Sequence, residues 1–126
     1  MGQFPTLIMK RVGCRVHFIL KKSMIDTYRK SRLYNMKIIL VGGGKVGSAL
    51  CRSLVADNHD VVLIEQNETV LNYMTSRFDI IGIAGNGADF AMLEAANVQD
   101  CDIFIAMTQY DEVNMVSAVL AKKMGA

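Results

Sequence analysis

From Met36 onward the chain alternates between two hydrophobic patterns, and that alternation limits the possible folds more than any other feature. Residues 38–41, 61–64, 80–83 and 103–106 are short, continuous apolar runs rich in Ile and Val. Between and after them apolar residues recur at helical spacing. Val46, Leu50 and Leu54 share one helical face, and Val70, Leu71 and Met74 follow Asn67. Phe90 and Leu93 form a third stripe, and Val113, Val116, Leu120 and Met124 a fourth. Strands that are apolar throughout need cover on both faces. Alternating them with helices gives a parallel sheet joined by right-handed crossovers. The expected fold is therefore α/β, a Rossmann-like doubly wound parallel sheet with strand order 3-2-1-4. Asn58 is expected in a left-handed turn after the first helix, Asn67 as N-cap of the second and Asp111 as cap of the last.

The chain has 126 residues, of which 52% are hydrophobic, enough for one compact domain and too few for two. Its charge divides sharply. Residues 1–35 carry eight Lys and Arg against one acid, Asp26, whereas residues 36–126 carry six Lys and Arg against eleven acids. The first segment has no clean hydrophobic period. Its mixture of cations and apolar residues fits a membrane-surface segment, a basic arm for nucleic acid or a presequence. It also fits sequence lying upstream of a domain that starts at Met36. The last is the expectation adopted: residues 1–35 as a basic extension outside the domain, and 36–126 as the domain. Phe4, Phe18, Tyr28 and Tyr34 show no base-stacking spacing, so no nucleic-acid partner is expected. Cys14, Cys51 and Cys101 have neither CxxC spacing nor a metal pattern with the two His, and read as reduced thiols. No apolar run approaches the roughly 20 residues of a membrane helix.

The first apolar run leads into VGGGKVGSAL, in which Gly42, Gly44 and Gly47 fit G-x-G-x-x-G. The pattern alone is weak, but here it leaves a strand and opens a helix. Gly42 permits the tight turn, Gly44 lets a pyrophosphate approach the backbone, and Gly47 brings the helix close. Unpaired N–H groups at the helix start then meet phosphate oxygens. Gly43 is not required by the pattern. Lys45 adds charge near the phosphates or is simply solvated.

Glu65 ends the second run, where a carboxylate accepts from ribose hydroxyls and repels a 2′-phosphate. The plain alternative is a solvated acid. Two further loops fall at the same sheet edge: Gly85-Asn86-Gly87, and the stretch MTQYDEVN over 107–114. Asn86 is expected near the adenine, with Thr108 and Asn114 approaching the phosphates or second ribose. Ordinary turn and cap chemistry is the alternative for each.

Together, MKIILVGGGKVGSALCRSLV, VVLIEQN, GIAGNGAD and DIFIAMTQYDEVNM resemble the N-terminal nucleotide-binding domain of TrkA-type potassium uptake regulators, the RCK-N or KTN family. The resemblance covers residues 36–126 and nothing earlier. It implies binding of NAD(H), or of ATP/ADP, by a regulatory subunit. That subunit assembles as a homo-oligomer on the cytoplasmic side of a TrkH-like, potassium-translocating membrane subunit. Carried over by position, Gly42, Gly44, Lys45, Val46 and Gly47 would line the phosphates, Glu65 would hold the ribose, and Gly85 and Asn86 would flank the adenine. Thr108, Glu112 and Asn114 would lie by the diphosphate or second sugar. The family domain continues with strands five and six, so the edge at 103–106 is expected to lack a neighbour.

Catalysis is not expected. No Tyr is followed four residues later by Lys, and Gly44-Lys45-Val46 departs from the P-loop GK[ST]. His17 falls in the extension and His59 in a helix–strand turn away from the ligand edge. The reading adopted is a sensor, which acts only through different affinities for two conformations. A fragment of an NAD-dependent oxidoreductase and a truncated, non-autonomous reading frame are the alternatives.

Overall fold

The computed structural model describes Thr6–Val12, Arg15–Lys21 and residues 35–126. Two strands come first, β1 (Thr6–Val12) and β2 (Arg15–Lys21). Then follow β3 (Lys37–Val41), α1 (Lys45–Ala56), β4 (Asp60–Glu65), α2 (Glu68–Arg77) and β5 (Ile81–Ala84). The chain continues with α3 (Phe90–Ala95), a 3-10 turn (Val98–Asp100), β6 (Ile103–Ala106) and α4 (Asp111–Lys123).

The parallel core runs β5-β4-β3-β6, the expected 3-2-1-4 order. Register is set by the apolar runs themselves: Ile39 lies opposite Val62 on one side and Phe104 on the other. Alternate residues then enter two cores. Ile39, Val41, Ile64 and Phe104 join Leu93, Ala118 and Ala121, while Ile38, Leu40, Leu63 and Ile105 join Cys51, Leu71 and Met74. Cover on both faces is what continuous runs demand. The caps follow local chemistry. Asn67 accepts from the Thr69 and Val70 N–H groups at 2.9 and 3.3 Å, and Asn58 has φ +62°. The last helix differs, because its N-cap is Tyr110 and Asp111 is already inside it.

Three expected helical stripes keep their contact with the cores through Leu50 and Leu54, Leu93, and Leu120 and Met124, but each exposes one member. In α1 the buried residues are Gly47 and Cys51, while Val46 is exposed. In α3 Leu93 is buried and Phe90 exposed. In α4 the buried face is Asn114, Ser117, Ala118 and Ala121, and Val116 points to solvent. The reason is common to α1 and α4. Small residues bring the helix backbone close to its neighbours, so Leu50, Leu54, Leu120 and Met124 pack at the flanks of the contact while Val46 and Val116 are left outside. The third apolar run also differs. Among the described residues β5 is the edge strand beside β4, and Ile81 is 65% exposed.

The greatest departure lies before Met36. Residues 1–35 were expected outside the domain, with the edge at 103–106 unpaired. Instead β2 pairs antiparallel with β6, Ile19 opposite Ile105, and β1 pairs antiparallel with β2. Among the described residues the sheet has six strands in the order β1-β2-β6-β3-β4-β5. An apolar edge with unpaired backbone groups is the surface such pairing satisfies. Ile19 packs, partly buried, beside the core that contains Ile105.

Candidate functional site

Strands β3, β4, β5 and β6 all end at one edge of the sheet, and the loops leaving them enclose a cleft of about 430 Å³. That volume is in the range of small-molecule sites. Gly42, Gly44, Lys45, Val46, Glu65, Gly85, Asn86 and Thr108 line it. Of the remaining expected residues, Gly47 lies beneath the glycine loop, Asn114 is fully buried behind Thr108, and Glu112 is exposed on α4. None of these three lines the cleft.

The glycine turn is built by close approach. Gly42 has φ +103°, and a Cβ there would stand 2.8 Å from the Met107 carbonyl oxygen. A Cβ on Gly47 would overlap the Gly42 carbonyl oxygen, so the turn itself closes over the first turn of α1. A Cβ on Gly44 would meet nothing within 4 Å. This third glycine therefore has no packing reason of its own; the space beside it opens to the cleft. The N-cap of α1 is Gly44, and no side chain caps this end. Its first N–H groups and the positive end of the helix dipole form an anion-binding arrangement.

Glu65 does more than end β4. One carboxylate oxygen accepts from the Gly43 N–H at 2.7 Å and the other from the Asn67 N–H at 3.2 Å. The carboxylate thus ties the glycine loop to the start of α2. Gly43, which the motif left without a role, supplies that donor. The GNG loop is held from the same strand, since the Gly85 N–H donates to the Glu65 carbonyl at 3.1 Å. The Asn86 side-chain oxygen closes its own turn by accepting from the Ala88 N–H at 2.9 Å.

The opposite wall is the β6–α4 loop. Met107, Gln109, Tyr110 and Val113 line the cleft beside Thr108 and were not singled out from the sequence. Only their position after an apolar run pointed to them. This loop rests on Asn114. Asn114 Oδ1 accepts from the Thr108 N–H at 2.8 Å, and its Nδ2 donates to the Thr108 carbonyl at 3.1 Å. The Thr108 hydroxyl has one proton to give, to Asn114 Oδ1 at 2.8 Å or to the Tyr110 carbonyl at 3.0 Å. It also accepts from the Tyr110 N–H at 3.2 Å.

The candidate bases and thiols lie elsewhere. His59 precedes β4 at the other end of the sheet, and its Nδ1 accepts from the Met36 N–H at 3.2 Å. The side chains of His17 and Cys14 lie outside the described residues. Cys51 and Cys101 are buried, and burial pushes the Cys51 thiol up. Among the described residues no three His, Cys, Asp or Glu gather as a metal site, and no helix is long and apolar enough to cross a membrane.

A 3-2-1-4 parallel sheet, a glycine turn opening the first helix and an acid ending the second core strand define a Rossmann-like module. The model of the TrkA-N domain matches residues 38–126, and the chain belongs to that family. Among curated relatives, a Trk system potassium uptake protein TrkA homolog of Methanothermobacter thermautotrophicus is 41% identical over 88 residues, 70% of this chain and 41% of that one. A homolog of the same name from Archaeoglobus fulgidus is 43% identical over 91 residues, 72% of this chain and 20% of that one. This chain therefore spans less than half the length of these relatives. A solved structure, the TrkA-N domain of inner membrane protein ybaL from Escherichia coli, is 29% identical. It covers 55% of this chain and 50% of that one, with a TM-score of 0.48.

Proposed function

We propose that this chain is a nucleotide-sensing regulatory module of a Trk-type potassium uptake system, which holds NAD(H), or ATP/ADP, without reacting it. The observation that carries this reading is the pairing of two groups on one cleft. The uncapped start of α1 and the Glu65 carboxylate both line the same 430 Å³ space. Phosphates would sit against the N–H groups of residues 44–47, with Lys45 adding positive charge, and ribose hydroxyls would donate to Glu65. The kinship with potassium uptake proteins of the TrkA type supports the potassium-uptake setting. In that setting the module acts as a homo-oligomer on the cytoplasmic face of a TrkH-like membrane subunit. Ligand binding would favour one conformation by its differential affinity.

The test is calorimetric titration of the full chain with NADH, NAD, ATP, ADP and NADP, with NADH consumption followed on the same sample. Saturable binding without turnover, with NADP weakest because Glu65 repels its 2′-phosphate, is the expected result. Turnover of NADH would replace the sensor with an enzyme. Absence of binding to folded protein would remove the nucleotide reading altogether.

A further inference from the structure

The Asn114 side chain is fully buried in α4, on a face otherwise made of Ser117, Ala118 and Ala121. A buried amide is costly unless its hydrogen bonds are met. Here they are met by both peptide groups of Thr108, its N–H at 2.8 Å and its carbonyl at 3.1 Å. The amide copies the pairing a neighbouring strand would offer, at a point where the chain has left β6. Thr108 lines the cleft and Asn114 does not.

We infer that Asn114 is a positioning residue. It clamps Thr108 from behind and so fixes the Met107–Tyr110 wall against which the second half of a dinucleotide would lie. This rests on the nucleotide reading above but asks more of it. The cleft then has two halves held by different groups. The glycine loop and Glu65 serve the adenosine phosphate end, and the Asn114 clamp serves the far end. Loss of the clamp should therefore discriminate between ligands rather than weaken all of them.

The experiment compares the full chain with Asn114→Ala, using NADH and AMP as probes, and follows amide hydrogen exchange in both proteins without ligand. Exchange at Thr108 should accelerate in the variant while exchange in β3 and β4 is unchanged. NADH affinity should fall about tenfold while AMP stays within about twofold. Equal losses for both probes, loss for neither, or unaltered exchange at Thr108 would each overturn the proposal. Wild-type protein that binds neither probe yet shows the exchange difference would sink the nucleotide reading while leaving the clamp in place. Asn114→Asp keeps the shape and the acceptor for the Thr108 N–H but loses the donor to its carbonyl. It gives the same test of NADH against AMP should the alanine variant fail to fold, with the NADH loss no smaller, because the carboxylate also faces the Thr108 carbonyl oxygen.

Discussion

The two walls of the cleft are made by different means. The β3–β4 wall recognises with backbone: the turn at Gly42, the open approach at Gly44 and the uncapped start of α1, with Glu65 bridging Gly43 and Asn67. The β6–α4 wall is a loop whose shape is imposed from behind by one buried amide. The walls meet at Gly42, where a Cβ would lie 2.8 Å from the Met107 carbonyl oxygen. A wall made of backbone announces itself by missing side chains at fixed spacing. A wall held by a clamp depends on which way a helix is rotated, and rotation is not written in any one residue.

The largest expected effect breaks the first wall without touching the fold. Gly44→Val places a side chain in space that is empty within 4 Å of the Cβ, so folding stability should hold. The same side chain occupies the path of a pyrophosphate, and nucleotide affinity should fall by roughly two orders of magnitude or more. Calorimetry paired with thermal melting checks this. A lowered melting temperature with retained binding would reverse the assignment of Gly44.

Glu65→Ala comes next. It removes the acceptor for ribose hydroxyls and should weaken adenine nucleotides by ~1.5–3 kcal/mol, the range for hydrogen bonds to a charged group. It also releases the Gly43 N–H from its 2.7 Å bond, so amide exchange at Gly43 should quicken even without ligand. Affinity lost with Gly43 exchange unchanged would reduce Glu65 to a ligand contact alone. Because the carboxylate repels a 2′-phosphate, the variant should also narrow the gap between NAD and NADP.

The contrast between the walls also explains what was legible in the sequence. The four core strands could be read because continuous Ile and Val runs have one structural solution when helices alternate with them. The Asn67 cap and the left-handed Asn58 follow from side chains acting on their own backbone, so distance along the chain did not matter. The orientations of Val46, Phe90 and Val116 could not be read the same way. Apolar spacing locates the stripe, and Leu50, Leu54, Leu120 and Met124 do pack on the cores, but close packing by Gly47 and Cys51, or by Ser117, Ala118 and Ala121, decides which member is left exposed. The pairing of β2 with β6 was hidden for a related reason. It joins residues more than eighty apart, and nothing local to Arg15–Lys21 names its partner. At the site, the lining of Glu65, Asn86 and Thr108 was legible from strand ends, whereas the role of Asn114 behind Thr108 required the bond to be seen.

The smallest effect tests how the second wall divides its support. Thr108→Val keeps the branched shape and the two hydrogen bonds between its own peptide groups and the Asn114 amide but removes the hydroxyl. That hydroxyl accepts from the Tyr110 N–H and gives its single proton to Asn114 or to the Tyr110 carbonyl. Two modest bonds at a half-buried position should cost ~1 kcal/mol of folding stability, measured by urea unfolding. NADH affinity should move less than in Asn114→Ala, because the peptide clamp still sets the course of the loop. A loss of NADH affinity equal to that of Asn114→Ala would make the hydroxyl, not the amide, the strut of this wall. An unchanged urea midpoint would mean that the Asn114 amide alone carries it, and that the two walls differ even more than their hydrogen bonds suggest.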